Sequence, residues 1–472
     1  MTATTNARDV IGEATIAELE GTLRGELIRP ADPGYDQARA VWNAAHDRHP
    51  AMIIRCAGTA DVIRAVEFAR SEGLTVAVRG GGHSIAGFST CDGGVVIDTS
   101  PMKGIRVDPA SRRAVAQPGL TWGEFDHETQ AFGLATTGGL VSTTGITGFT
   151  LGGGLGWLLR KYGLTCDNLV SADVVTADGQ LVTASEQEHP DLFWALRGGG
   201  GNFGVATSFE YRLHPVGPTV FAGPVFYAGG DAGQVLRGWR DLTAGLPDEF
   251  TTIANMLVAP PVPFLPESVH GQLVVAILGV HAGSVEDGAK AAEPLRKLAE
   301  PIADLMGPMP YTTMQSLIDP LWEAGAQNYF TSALIDRLDD AAIDTLLAQH
   351  AAGQAPVREL HLHHAGGTMA RVPEGATAFA HRGAPYVLNV IARSPEGAGF
   401  EQHADWARAT HRAMNPWSGG GAYVNFTSDP GEDRARASYP PDTYARLVAV
   451  KDQYDPTNLF RLNQNIRPSG RR

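Results

Sequence analysis

At 472 residues, 43% of them hydrophobic and 19% charged, the chain exceeds what one core usually serves and shows no bias toward disorder, so two or more domains are expected. A net charge of −14 without a clustered run of Lys and Arg sets nucleic acid aside, and no apolar run approaches the ~20 residues that span a bilayer. Cys56, Cys91 and Cys166 are too few and too scattered for a disulfide scaffold, and the opening MTATTNARDVIGEATIAELEG has neither the basic start nor the apolar block of a secretory signal, so a reducing, cytoplasmic setting is expected.

In chain order, a helical lead-in precedes residues 51–79, which read as strand, helix, strand. Apolar AMIIRCA is followed by a helix capped by Thr59, with Val62, Ile63, Val66 and Ala69 on its buried face and Gly73 past its end, and then by TVAVRG. Further short strands are expected at GGVVIDTS, RRAVAQPG, VSADVVTADG and ATSFEYRLHP, with glycines marking the turns. Glycine is the outlier of the composition, 56 residues or roughly 12% against a usual ~7%, and it concentrates between Gly80 and Gly204. From about residue 215 this clustering ends. Prolines mass at 260–266, AAEPLRKLAEPIADLM reads as an amphipathic helix, and HGQLVVAILGVHA and APYVLNVIARS read as strands. The texture changes back near residue 425, with a helix around DTYARLVAVKDQY and a polar, Asn-rich YDPTNLFRLNQNIRP at the end.

The sharpest feature is Arg79-Gly80-Gly81-Gly82-His83-Ser84, placed just after a strand. Three successive glycines let backbone N–H groups turn inward as a nest for pyrophosphate, with His83 delivered to whatever is bound. A plain glycine turn with a satisfied histidine is the alternative. Gly82 to Ser89 has Walker-loop spacing, but Phe88 stands where the phosphate-gripping Lys is required. Gly199, Gly201 and Gly204 fit G-x-G-x-x-G, yet they follow DLFWALRG, which reads as a helix and not as the strand of a dinucleotide fingerprint. A second glycine block, Gly138 to Asn168, suits a backbone wrapped against a flat ligand, or a Gly-rich buried loop.

Taken in order, R-G-G-G-H-S, T-G-I-T-G-F-T-L-G-G-G-L-G, R-K-Y-G-L-T-C-D-N, D-L-F-W-A-L-R-G-G-G-G-N-F-G and Y-D-P-T-N-L-F-R-L-N-Q-N-I-R-P resemble the berberine bridge enzyme-like flavoproteins of the vanillyl-alcohol oxidase superfamily, over residues of about 50 to 468. The resemblance implies an α/β (α+β) architecture. A PCMH-type FAD-binding domain would span 1–214 with 425–472 returning to it, and a substrate-binding domain of antiparallel sheet flanked by helices would span 215–424. The ligand is then expected at their junction. It also implies FAD bonded covalently through His83, with Arg79, Gly80, Gly81, Gly82, Ser84 and Gly87 around the pyrophosphate. Thr144, Gly148, Gly153, Gly154 and Gly156 follow in the second block, then Cys166, Asp167 and Asn168. Gly204, Val205, Tyr423, Asn425, Asn463 and Asn465 complete the cofactor set. In relatives with two flavin bonds a cysteine sits where this chain has Val141, so a single bond is expected, with Cys166 packed against the cofactor region. Thr144 occupies the position thought to govern oxygen access.

The substrate side departs from the family. The glutamate and tyrosine bases of plant relatives align with Leu388 and Phe426. Strand alternation puts His361 and His363 on one face and Leu362 and His364 on the other. His363 aligns with an active-site tyrosine, which makes it a candidate base for hydride departure to flavin N5. His361, Tyr423, Tyr386 and Asn389 are the further candidates, and a structural role for the histidines is the alternative. No metal is expected. The resemblance implies a small organic substrate (alcohol, sugar, amine or phenolic metabolite), with O2 or another acceptor taking the electrons.

Overall fold

The computed structural model describes residues 11–470; the first ten residues of the opening stretch read above for a secretory signal lie outside it. Strands β1 (Glu26–Ile28), β2 (Met52–Arg55), β3 (Val76–Arg79) and β4 (Val95–Asp98) form a sheet of order β1-β2-β4-β3, with β2 and β3 both parallel to β4. Helix α1 (Thr59–Ser71) makes the crossover. Burial on both faces suits the apolar run Val95-Val96-Ile97 of β4. Val62, Ala65, Val66, Phe68 and Ala69 are the buried apolar residues of α1, while Ile63 is only partly covered. Gly58, not Thr59, is the cap. The Asp61 carboxylate in the first turn instead accepts the N–H groups of Arg24, Gly25 and Ala57, tying down the preceding loops.

A second, antiparallel sheet contains β5 (Ile105–Asp108), β6 (Arg113–Ala116), β7 (Leu169–Val175), β8 (Leu181–Ser185) and β9 (Val205–Arg212), in the order β5-β6-β9-β7-β8. Helices α2 (Trp122–Gln130), α3 (Ile146–Leu151) and α4 (Pro190–Leu196) pack into its core. The stretch before Gly199 is therefore helical, as its sequence suggests, and the G-x-G-x-x-G spacing there is not a dinucleotide fingerprint.

The third sheet is antiparallel and eight-stranded. Its strands are β10 (Thr219–Ala228), β11 (Phe250–Val258), β12 (Leu273–His281), β13 (Pro301–Asp304), β14 (Gly307–Pro310), β15 (Gln327–Ile335), β16 (Val357–His364) and β17 (Tyr386–Ser394). The order is β13-β10-β12-β11-β16-β17-β15, with β14 also pairing β10. One face is covered by α5 (Ala232–Thr243), α6 (Val285–Ala292), α7 (Asp340–Ala352) and α8 (Phe400–Met414), through Trp239, Leu346, Ala407 and Met414 among others. The other face looks toward the glycine-rich half. The expected helix over residues 291–306 does not form as one element. The helical path tightens to a 3-10 turn, Glu293–Lys297, where Pro294 removes an N–H, and the chain then enters β13. Pro301 starts that strand at the sheet edge, where a missing donor is tolerated.

Helix α9 (Pro441–Tyr454) returns to the second sheet, burying Leu447, Val450 and Tyr454 in the same core as α4. The tail after it is pinned by a fully buried ion pair. Lys451 Nζ donates to Asp455 (2.7 Å), to Asn202 O (2.6 Å) and to Phe460 O (3.1 Å), and Asp455 accepts the N–H groups of Leu459 and Phe460.

Candidate functional site

Arg79 closes β3 and Asp98 closes β4. Their buried side chains pair at 3.1 Å, so the chain leaves the sheet at a fixed point and enters Gly80-Gly81-Gly82-His83-Ser84. Gly81 lies backbone to backbone against Gly145, where a Cβ on it would stand 2.5 Å from Gly145 N. Both glycine blocks therefore meet, and side chains at their contact would hold them apart. Among the described residues, the N–H groups of Gly81, Gly82, His83 and Ser84 donate to no protein acceptor.

These segments form one end of a cavity of about 310 Å³ that runs to the large sheet. Gly148 on α3 and Gly201 line it, and a Cβ on either would meet nothing within 4 Å except cavity space. The tail contributes Phe460, Leu462, Asn463 and Gln464, and the buried Asn463 Oδ1 and both Gln464 amide atoms have no partner among the described residues. A glycine cradle, backbone N–H groups without a protein acceptor among the described residues and unanswered amides fit a flat ligand carrying phosphate and a polar heterocycle, as FAD does.

His83 stands on the cavity wall with its imidazole stacked on Trp42, and burial lowers its pKa to about 4. It is a neutral imidazole at physiological pH. Trp42 also donates Nε1–H to Trp322 O (2.8 Å), while Asn43 bonds both Ile85 O and Asn328 O. The segment that stacks on His83 thus also clamps the glycine loop to β15. Trp42, Trp322, Phe330 and Ile391 make an apolar chamber, with Val141, Ile318 and Phe426 packed against it. No Asp, Glu, Lys or Arg side chain lines the cavity among the described residues.

The polar groups of this chamber come from facing positions on adjacent strands. Asn255 on β11 pairs with His361 on β16, which pairs with Asn389 on β17. His361 and Asn389 reach the cavity, and Asn389 Oδ1 is buried without a partner among the described residues. Behind His361, Nε2 lies 2.6 Å from Glu359 Oε2, which also accepts Asn255 Nδ2–H at 2.7 Å.

The other expected residues separate into two groups. Gly80, Gly81, Gly82, Ser84, Thr144, Gly148, Gly204, Asn425 and Asn463 line the cavity with His83. The rest face the protein. Arg79 is taken by Asp98 and by Ala40 O. Gly87 abuts His46, Gly153 abuts Phe379, Gly154 abuts Thr165, and Gly156 abuts Gly138 O. Cys166 is buried, its thiol pushed up by burial, and Asp167 is paired with Arg382. Asn168 holds Tyr162 O and Leu164 O, and Val205 packs in the core of the first sheet. Asn465 stays near the tail loop with an unpartnered Oδ1.

Among the candidate bases, His363 is buried between His361 and Phe426, ring centroids 5.8 and 5.7 Å away, and burial lowers its pKa to about 3. Tyr423 is buried. Its hydroxyl accepts the N–H groups of Gly154 and Leu155 and the Asn425 amide, and burial raises its pKa to about 12. Tyr386 points to the opposite sheet face, bonded to Thr243 Oγ1 at 2.8 Å and packed on Trp239. Of these four, only His361 opens on the cavity. Glu359, Asn255, Trp42 and Trp322 were not anticipated. Period-two alternation along β16 was enough to place Glu359 beside His361, whereas the tryptophans belong to no motif.

No group of three or more His, Cys, Asp and Glu able to hold a metal occurs among the described residues, and no helix there is long and apolar enough to cross a membrane.

Residues 50–185 match the FAD binding domain family and residues 422–467 match the berberine and berberine like family. The chain is 32% identical to (R)-6-hydroxynicotine oxidase of Paenarthrobacter nicotinovorans over 461 residues, covering 95% of this chain and 98% of that one. It is 30% identical to xylooligosaccharide oxidase of Thermothelomyces thermophilus, covering 89% and 88%. The crystal structure of 6-hydroxy-D-nicotine oxidase from Arthrobacter nicotinovorans superposes with a TM-score of 0.85 at 29% identity, over 95% of this chain and 98% of that one.

Proposed function

The chain belongs to the berberine bridge enzyme-like FAD-linked oxidoreductases, and from that membership we propose that it is an oxidase holding FAD by a single covalent bond at His83 and oxidising a small, uncharged organic substrate between Trp42 and His361. The observation that carries this reading is the single cavity that joins the glycine cradle and His83 to His361 and Asn389. FAD held there would supply the two-electron acceptor for the substrate's hydride, and O2 would be the reoxidant, giving H2O2.

The residues divide the remaining work. The N–H groups of Gly81 to Ser84 offer positive dipole ends to a pyrophosphate, which needs no cationic side chain there. Neutral His83 has a lone pair available as a nucleophile at the cofactor. Val141 offers no second nucleophile, and none of the three buried cysteines reaches the cavity. His361 takes the substrate's O–H or N–H proton, a role worth about 10²–10⁴ in rate. Asn389 orients the same heteroatom, and Trp42, Trp322 and Phe330 exclude water.

A charged group entering the chamber would find no Asp, Glu, Lys or Arg on its walls to pair with, so the substrate enters neutral. The aromatic walls favour a planar or apolar face. The relatives named for hydroxynicotine and for xylooligosaccharides bracket that range. We assign cofactor holding to 1–214 with 425–472 and substrate holding to 215–424, and the unpaired thiols favour a cytoplasmic setting.

Anaerobic mixing with a panel of neutral phenols, alcohols, N-heterocycles and sugars, followed by air, tests the reading. Bleaching of the flavin followed by rapid return of colour is expected. Slow return in air would mark a dehydrogenase, and no bleaching by any of them would mark a binding protein.

A further inference from the structure

The carboxylate behind His361 is the feature the proposed chemistry leaves unused. Alternation along β16 sets Glu359, His361 and His363 on the cavity-facing side, and Glu359 is buried there without a salt bridge to any Lys or Arg among the described residues. Its Oε2 is held from two strands, by His361 Nε2 at 2.6 Å on its own and by Asn255 Nδ2 at 2.7 Å from β11. A carboxylate accepts and does not donate, so Nε2 carries the imidazole proton and the lone pair sits on Nδ1. His361 Nδ1 makes no hydrogen bond among the described residues.

We propose that Glu359 is a positioning residue that fixes the tautomer of His361, presents Nδ1 to the substrate and stabilises the imidazolium formed when Nδ1 takes the substrate's proton. The proposal rests on His361 as the proton acceptor. In the step, the substrate's O–H or N–H bond breaks with its electrons left on the heteroatom, and the proton goes to Nδ1. The adjacent C–H pair leaves as hydride to FAD, so the substrate loses two electrons as FAD gains two. An imidazolium formed away from water would be costly alone, and Glu359 supplies the opposite charge in hydrogen-bonding range. The other titratable groups near the pair are His363 on the same strand, Arg393 on β17 and, from the helix layer on the opposite face, His350 on α7. His363 and His350 are kept neutral by burial. Arg393 is occupied with Asn328 Oδ1, Glu323 O and the face of Trp322. Asn255 holds the carboxylate from the neighbouring strand, so a lone surface glutamate could not substitute for it.

The test uses the holoenzyme and 4-nitrophenol, a neutral phenol whose ionisation is visible in the bound state by difference spectroscopy. Wild type is expected to lower the apparent pKa of the bound probe by about one unit or more, roughly tenfold in ionisation. Glu359→Gln, of the same size, is expected to bind the probe and lose the shift. Glu359→Asp, which keeps the charge, is expected to recover part of it. His361→Asn is expected to lose it entirely. Flavin content equal to wild type in each variant verifies the fold. A full shift in Glu359→Gln overturns the role of Glu359 and leaves His361 standing. A full shift in His361→Asn overturns His361 as the acceptor, and no binding of the probe by wild type overturns the chamber assignment itself.

Discussion

The indole of Trp42 lies against the imidazole of His83, ring centroids 5.1 Å apart and planes 18° from parallel, while its Nε1–H is held by Trp322 O. The ring that orients the proposed flavin anchor is therefore also a wall of the substrate chamber. Truncation by Trp42→Ala removes both functions. Stability is expected to fall by about 3–5 kcal/mol, as for other large aromatic deletions, and the covalently held flavin fraction to fall with it. Trp42→Phe keeps a stacking face and is expected to retain most of the bond. Denaturant titration and the fluorescence of acid-precipitated protein report the two effects separately.

Replacing His361 and His363 of β16 one at a time separates the open one from the buried one. His361→Asn is expected to lower turnover by about 10²–10⁴. His363→Leu, at a site where burial already keeps the imidazole neutral, is expected to change turnover by less than about threefold. Steady-state kinetics with the substrate found in the bleaching panel decides between them, and the reverse order of effects would restore His363 as the base.

Gly148 faces cavity space, so Gly148→Val is expected to leave the stability of flavin-free protein within about 1 kcal/mol while displacing the cofactor. The ratio of flavin to protein absorbance, read beside the melting temperature, tests this. Gly81→Ala is expected to cost stability as well, because its Cβ meets the Gly145 backbone and not the cavity.

Asp126 is wholly enclosed, and burial raises its pKa to about 7 even though Gln315 donates to it. The folded pKa exceeds the unfolded value of ~3.9, so between those values the native state binds the extra proton. Stability therefore declines as pH rises through this window, by at most about 1.4 kcal/mol per pH unit, and is flat above about 7. Asp126→Asn, which cannot ionise, is expected to raise the melting temperature at alkaline pH and to match wild type only below about pH 4. Equal gains at both pH values would rule the linkage out.

Much of the framework was legible because it is local. The apolar runs of β2 and β4, the period of α1 and the position of Gly73 each report a short-range preference, and the nest at Gly80 to His83 is readable as backbone chemistry. The residues 291–306 were misread because their apolar spacing is helical while Pro294 and Pro301 divert the backbone. The chamber was not legible for a different reason. Trp42 and Trp322 lie 280 residues apart in segments without a pattern, and only the packing of β15 against the glycine loop brings them together. Several glycines of the second block suited a flat ligand on sequence, yet Gly153, Gly154 and Gly156 are small because protein atoms lie against them. Sequence cannot distinguish a ligand from a neighbouring chain segment as the reason for a missing side chain.

The most direct test of the central claim is peptide mass spectrometry of the acid-precipitated, protease-digested protein. Flavin is expected on the peptide containing His83 and on no other. Flavin on the Cys166 peptide would contradict the single bond, and release of all the FAD into the supernatant would contradict His83 as the anchor.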